Sequence, residues 1–280
     1  MSRYTIETLA SETNDASTKP KTDIDKILQK QLNFKIVYAK EISYGPINRH
    51  LFIKSRIKKA FKEKSLKKDD IVLNNYPNYI GGKFQKELIT YLNKYSVKKV
   101  ALIHDLDSLR MDKSILGSLN DEIKYLNKYD VVISQNENMT SVLKKNGLKT
   151  KVVNIELFDY LAPNKTIKNN SKFKNNITFA GNLNKAPFLE YLNIKSPLHF
   201  DLYGIINDES KINSTIDYHG SVTPNELSNL MGKGFGLVWD GPSVNEVIGP
   251  IGNYLKFNNP YKVSSYIDAG MPVIVWDKSA

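Results

Sequence analysis

The sequence predicts an α/β protein of two Rossmann-like halves that face a cleft. Three observations carry this. Short apolar, β-branched runs alternate with amphipathic helical stretches along the chain, the pattern of parallel sheets covered by helices. The alternation breaks at a Lys-, Asn- and Ser-rich polar stretch with a proline, 161–176, and restarts beyond it. The 280 residues are 41% hydrophobic and 25% charged, a globular composition long enough for two moderate cores. The expected division is a first half over 1–160, a linker over 161–176 and a second half over 177–280.

The first half opens with a weakly alternating strand at 4–9 and a small-residue polar loop at 10–21. A helix over 23–32, a strand over 34–38 and a strongly basic helix over 48–62 follow. Strands at 71–74, 99–103, 131–134 and 151–155 then alternate with helices at 84–95, 115–127 and 137–146. The second half reads as strands at 177–180, 199–203, 215–219 and 235–238, with helices at 188–192 and 224–231. It closes with a helix over 261–269, which Gly270 ends as a C-cap, and a buried parallel strand over 273–276. In doubly wound sheets ligands sit beyond the carboxyl ends of the strands. That rule selects the loops at 14–21, 74–77, 104–105, 181–185 and 240–241.

The chain has no cysteine, which excludes a disulfide framework, a thiolate metal site and a thiol nucleophile. No apolar run approaches the ~18 residues of a membrane span, and the N-terminus lacks a signal-peptide core, so the chain reads as cytoplasmic. The net charge of +11 suits phosphorylated ligands, nucleic acid or an anionic membrane face. The lysines read as spread through helices, and no nucleic-acid-binding motif is present. Attraction to anionic lipid on the inner membrane face is the better use of the excess.

The stretch Lys262-Val-Ser264-Ser-Tyr266-Ile-Asp-Ala269-Gly270-Met-Pro272-Val-Ile-Val-Trp276 is the most informative. Pro260 breaks the chain before it, so Lys262 falls in the first turn of a helix. Free backbone N–H groups and the helix dipole favour an anion there, Lys262 adds a full charge and Ser264 a hydroxyl. A plain αβ unit with a surface lysine has the same local pattern.

That run, with Ile103-His-Asp-Leu-Asp-Ser-Leu-Arg110, Phe179-Ala-Gly-Asn-Leu183 and Gly234-Phe-Gly-Leu-Val-Trp239 in this order, resembles GT-B glycosyltransferases. It is most similar to the bacterial glucosyltransferases that extend N-acetylglucosamine on serine-rich adhesins and to the related galactofuranosyltransferases. The resemblance implies a hexose, glucose or galactofuranose, moved from a UDP-sugar to a sugar acceptor on a protein or lipid carrier. It also implies no required metal, frequent self-association, and basic residues at Lys185 and Lys262 on the nucleotide diphosphate. In that family the chain continues past the point matching Ala280, so the second half is expected to be truncated here. A catalytically idle nucleotide-sugar-binding subunit and a basic nucleic-acid-binding protein are the competing readings.

Gly181 and Asn182 read as a turn where the backbone can approach a phosphate. Tyr203, Gly204 and Tyr218, at strand ends, offer aromatic faces and a backbone edge for uracil, while Asp240, Asn258 and Asn259 offer polar contacts to sugar, ribose or phosphate. For the acceptor's proton the candidates are His104 or Asp105, with Asp15 as an alternative in a loop whose Ser17 and Thr18 shape the donor or acceptor site. Asp105-x-Asp107 also matches a metal-binding carboxylate pair, a reading discounted because the donor signals lie in the other half.

Overall fold

A computed structural model of the chain describes residues 1–9, 18–40, 52–78, 80–111, 114–162, 175–231 and 234–280. The chain divides into two compact units, Met1–Glu156 and Leu157–Ala280.

The first unit is a six-stranded, all-parallel sheet in the order β2-β1-β3-β4-β5-β6. Its strands are β1 (Arg3–Leu9), β2 (Lys35–Lys40), β3 (Ile71–Tyr76), β4 (Lys98–Ile103), β5 (Val131–Ser134) and β6 (Lys151–Asn154). Helix α1 (Lys19–Leu32) starts four residues before the expected position, because Pro20 sits in its first turn, where a proline ring costs no hydrogen bond. Helices α2 (Ile53–Ala60) and α3 (Gly82–Leu92) pack on a core of Tyr4, Ile6, Val37, Val72, Ile57, Phe84 and Leu88. The helix expected over 115–127 is two pieces. A short helix α4 (Asp107–Arg110) precedes a turn at Gly117, and α5 (Leu119–Leu126) begins at a capping box between Ser118 and Asp121. Helix α6 (Glu137–Lys145) is capped by Asn136, whose side chain accepts from the Met139 N–H at 2.9 Å.

The second unit is a five-stranded parallel sheet in the order β11-β10-β7-β8-β9. It comprises β7 (Asn176–Asn182), β8 (His199–Ile205), β9 (Asp217–Tyr218), β10 (Phe235–Val238) and β11 (Val273–Val275), with helices α7 (Pro224–Leu230), α8 (Gly249–Asn253) and α9 (Tyr261–Asp268). Helix α8 was not read from the sequence, since Gly249, Pro250 and Gly252 mask it. The helix expected over 188–192 is a 3₁₀ turn, Pro187–Glu190. Strand β11 is parallel as expected but not buried: it is the outermost strand, and Val275 stays 49% exposed.

In this strand order the topological switch point lies between β7 and β10, where crossovers leave in opposite directions and ligands sit in doubly wound sheets. The two strands pair only at Phe235↔Ile177 and Gly236↔Thr178, then separate. Tyr266 of α9 fills the opening. Its hydroxyl accepts the Ala180 N–H at 3.0 Å and donates to the Leu237 carbonyl at 3.2 Å, and the side chain is fully buried. The ring passes over Gly236, where a Cβ would stand 2.3 Å from the ring's Cγ. Gly236 is therefore glycine for space.

Gly236→Ala should destabilise the protein by about 1–3 kcal/mol, the range for overpacking a filled core. Tyr266→Phe should cost about 1–3 kcal/mol, because it strands a buried donor and acceptor. Urea denaturation followed by circular dichroism measures both, and unchanged midpoints would remove Tyr266 as the wedge between β7 and β10.

Candidate functional site

In the second unit the loops at the carboxyl ends of β7 and β10 are joined. The Gly241 N–H donates to the Lys185 carbonyl at 3.2 Å, and the Phe188 N–H donates to the Gly241 carbonyl at 3.3 Å. Gly181 has φ +148°, a conformation that L side chains avoid, and a Cβ there would meet nothing within 4 Å. Gly181 and Asn182, expected in a turn, are instead the last two residues of β7, paired with Gly204 and Ile205 of β8. Asn182 uses its side-chain oxygen locally, accepting from the Asn184 N–H at 3.1 Å to cap the 3₁₀ turn Leu183–Lys185 that carries half-buried Lys185.

Lys262 lies in the first turn of α9, after Pro260 in extended geometry, with no side chain capping the helix start. Its ammonium is 3.3 Å from Asp240 Oδ1 and 4.4 Å from the centre of the Phe179 ring. Both side chains of the ion pair are mostly buried, at 17% and 15% exposure. The structure therefore brings together Lys262, Asp240, the end of β7 at Gly181 and the turn carrying Lys185 at the switch point. Asn258 is half-buried beside this helix start, and its Oδ1 is buried with no hydrogen-bond partner among the described residues. Asn259 is half-buried next to it.

Other expected donor contacts are placed differently. Ser264 is buried and donates its hydroxyl to the Phe158 carbonyl at 2.5 Å, so it ties 157–162 to α9 instead of facing the helix start. Tyr203 is a core residue, 7% exposed, stacked on His219 at 4.7 Å between ring centres. Burial, with Asp201 nearby, raises its phenol pKa. Tyr218 donates its hydroxyl to the Gly204 carbonyl at 2.9 Å and locks the end of β8. Gly204 is glycine because a Cβ would stand 1.8 Å from the Gly181 carbonyl oxygen, its register partner on β7. These aromatics were misread because a strand-end tyrosine looks the same in sequence whether its ring faces solvent or core.

The first unit carries a polar network that joins Thr5 of β1 to the carboxyl end of β3 and the residue after β4. His104 follows β4, and its Nε2 is 2.9 Å from Asn75 Oδ1. The amide of Asn75 donates to Asp25 Oδ1 at 2.9 Å, and Thr5 donates its hydroxyl to the same oxygen. Gln135 donates to the His104 carbonyl at 2.6 Å. Lys21, on α1, donates to the Pro77 carbonyl, and burial lowers its pKa to about 8 against the opposing pull of Asp105, Asp107 and Asp25. Asp25, itself buried, is pushed up to about 6. Burial and the Lys21 charge hold His104 well below its usual pKa, as a neutral imidazole. Asp105 and Asp107 both engage Arg110, at 3.0 and 2.5 Å. Burial raises the Asp107 pKa, with Arg110 opposing. Among the described residues no three His, Asp or Glu side chains gather as a metal site. Thr18 precedes α1 without a side-chain cap bond. Asp15 and Ser17 lie outside the described residues. Lys21, Asp25 and Asn75 were missed in sequence: Lys21 reads as one more lysine in a lysine-rich chain, and the other two become notable only when α1 crosses β3.

Two family models, described as the N-terminal and C-terminal domains of Glucosyltransferase 3-like proteins, match residues 3–157 and 177–280. The chain is 33% identical over 282 residues to the Escherichia coli (strain K12) beta-1,6-galactofuranosyltransferase WbbI, covering 99% of this chain and 80% of that protein. It is 29% identical over 208 residues to Glucosyltransferase 3 of Streptococcus gordonii, covering 74% of this chain and 60% of the relative. Among solved structures, sucrose-phosphate synthase from Thermosynechococcus elongatus superposes with a TM-score of 0.62 at 9% identity, over 98% of this chain and 81% of that one. An alpha-glucosyltransferase in complex with UDP and DNA gives 0.57 at 15%, over 98% and 79%. These likenesses carry the fold, and the matches along both units carry the family: the chain belongs to the Glucosyltransferase 3-like family of glycosyltransferases and has their GT-B α/β fold.

Proposed function

We propose that this glycosyltransferase moves a hexose, glucose or galactofuranose, from a UDP-sugar to a sugar acceptor on a glycoprotein or a surface-polysaccharide precursor. The observation that carries this reading is the mostly buried Lys262–Asp240 pair at the β7/β10 switch point, beside the carboxyl end of β7. Departure of UDP places negative charge on the β-phosphate. Lys262, Lys185 and the start of α9 supply the positive charge and N–H donors that stabilise it. The Gly181 backbone at the end of β7 approaches the phosphates, and Asn182 caps the following turn that carries Lys185. Asn258 and Asn259 supply polar contacts for ribose or phosphate. In the first unit, His104 faces the acceptor hydroxyl, and Asp105, or Asp15 in the preceding loop with Ser17 and Thr18, assists there. The relative named as a galactofuranosyltransferase and the one named as a glucosyltransferase support a hexose of either ring size.

A thermal-shift series with UDP, GDP, CMP and ADP, with and without Mn²⁺, tests the donor. UDP at ~100 times its dissociation constant should stabilise by about 2.7 kcal/mol, with no shift from the other bases and no need of the metal. A shift confined to Mn²⁺-containing samples, or to another base, would overturn the UDP assignment or its metal independence.

Isothermal titration separates the lysine's role. Lys262→Ala should weaken UDP binding by about 1.5–3 kcal/mol, the range for a hydrogen bond to a charged group. A folded mutant with unaltered affinity would remove Lys262 from the diphosphate site.

The basic charge supports peripheral binding to an anionic membrane face, and with it a cytoplasmic location. Its distribution differs from the expected even spread. The stretch from Phe52 to Lys99 holds thirteen Lys and Arg against four Asp and Glu, a net +9 of the chain's +11. Lys54, Lys58 and Lys59 of α2, and Lys62 just after it, are exposed, and so is Phe52 at its start. Each lysine near an anionic surface contributes about 1 kcal/mol. Sedimentation with phosphatidylglycerol vesicles should recover the protein at low salt, phosphatidylcholine vesicles should not, and changing these four lysines to Gln should cut recovery at least ~10-fold. Equal recovery by the variant would exclude this face.

A further inference from the structure

The start of helix α2 is built in a way that the fold does not need. Phe52 is its N-cap: the Arg56 N–H donates to the Phe52 carbonyl at 2.8 Å and closes the first turn. N-caps are usually Ser, Thr, Asp or Asn, whose side-chain oxygen satisfies a free backbone N–H of that turn. A phenyl ring supplies no such oxygen, and no acidic residue stands in the first turn to replace it. The backbone of Phe52 is also left-handed, at φ +62°. That conformation is costly for a bulky L side chain, and strain of this kind points to a function. Nor does the ring return anything to the core. It is 75% exposed, and among the described residues the only more exposed large apolar side chain is Met1.

The helix behind the ring is firmly seated, with Ile53, Ile57 and Phe61 in the core of the first unit. On its exposed face Lys54, Lys58 and Lys62 stand four residues apart and form one row, with Lys59 beside it. Glu87 of α3 is 3.9 Å from Lys54 and Glu63 follows the row, which leaves an excess of positive charge. Lysines beside a protruding aromatic ring match the chemistry of an anionic bilayer: the ammonium groups meet the phosphates, and the ring enters the boundary between headgroups and acyl chains. We propose that Phe52 is a membrane anchor, inserted into that boundary of an anionic bilayer when the lysines of α2 lie on its surface. The proposal rests on the peripheral membrane binding assigned to these lysines, and adds an apolar contact to an attraction that is otherwise electrostatic alone. Salt screens the lysines but not the burial of the ring. The strained cap then has a purpose: it leaves the ring outside the buried row of α2.

The full chain carrying Phe52→Trp reads insertion directly. Phosphatidylglycerol vesicles brominated in their acyl chains should quench its emission at low salt well beyond that of wild type, whose two tryptophans are the background. Phosphatidylcholine vesicles brominated in the same way should not. Phe52→Asn separates the anchor from the fold. Asparagine tolerates the left-handed region and caps a helix start, so this variant should melt no lower than wild type. Its partition onto phosphatidylglycerol vesicles at low salt should fall at least ~10-fold, as for the loss of one buried aromatic side chain. A Phe52→Trp chain that sediments with the vesicles without added quenching overturns the proposal, and so does a Phe52→Asn chain that partitions as wild type does. Either result leaves electrostatic binding by the lysines intact. Failure of the wild type to sediment with phosphatidylglycerol vesicles at low salt overturns both the anchor and the peripheral binding.

Discussion

The tyrosine hydroxyl between β7 and β10 is the constraint on which the second unit depends. A doubly wound sheet opens at its switch point, and an opening exposes backbone donors and acceptors that no neighbouring strand satisfies. Here the Ala180 N–H and the Leu237 carbonyl would be those orphans. Tyr266 satisfies both with one hydroxyl, and its burial raises the phenol's pKa, so it remains the neutral donor that Leu237 requires. The same contact sets the position of α9. Because Tyr266 is one turn beyond Lys262, pinning its ring over Gly236 also fixes where the first turn of the helix begins. The ammonium's place over Phe179 and beside Asp240 follows from that packing.

This dependence explains which parts were legible in sequence. The αβ alternation and the helix ending before Gly270 follow from local periodicity and turn chemistry, and they appear where expected within a few residues. Lys262 was legible because a proline break followed by a helical pattern fixes its position in the first turn without any knowledge of the tertiary structure. Ser264, Tyr203 and Tyr218 were not. Each offers a side chain at a strand or helix end, and only the packed structure shows that the Ser264 and Tyr218 hydroxyls bond Phe158 and Gly204 and that the Tyr203 ring stacks on His219. Sequence pattern gives the position of a side chain along an element; its partner comes from an element far away in the chain.

The first unit makes the same point from the opposite side. Thr5, Asp25, Asn75 and His104 come from β1, α1, β3 and the end of β4, with separations of 20 to 50 residues along the chain for the bonds that Asp25 makes. No spacing rule links them. They meet because β1 and β3 are neighbours in the 2-1-3 order and Asp25, buried on α1, reaches both Thr5 of β1 and Asn75 of β3. Chemically diverse residues thus gather where the topology reverses, in both units.

The pairing of Lys262 with Asp240 looks at first like a competitor for a phosphate, since the carboxylate already occupies the charge that the ligand needs. The physical balance points the other way. An ammonium withdrawn from water without a partner carries a penalty of several kcal/mol, or loses its proton. Asp240 offsets that penalty before any ligand arrives. An ammonium has three donors in a compact group, and a single carboxylate oxygen at 3.3 Å uses at most one of them. The remaining donors stay available, and the aromatic face of Phe179 adds attraction without using a hydrogen bond. Asp240 therefore preorganises Lys262 more than it blocks it. In the proposed function a diphosphate, which brings more negative charge than one carboxylate, shares the ammonium without displacing the pair that holds it.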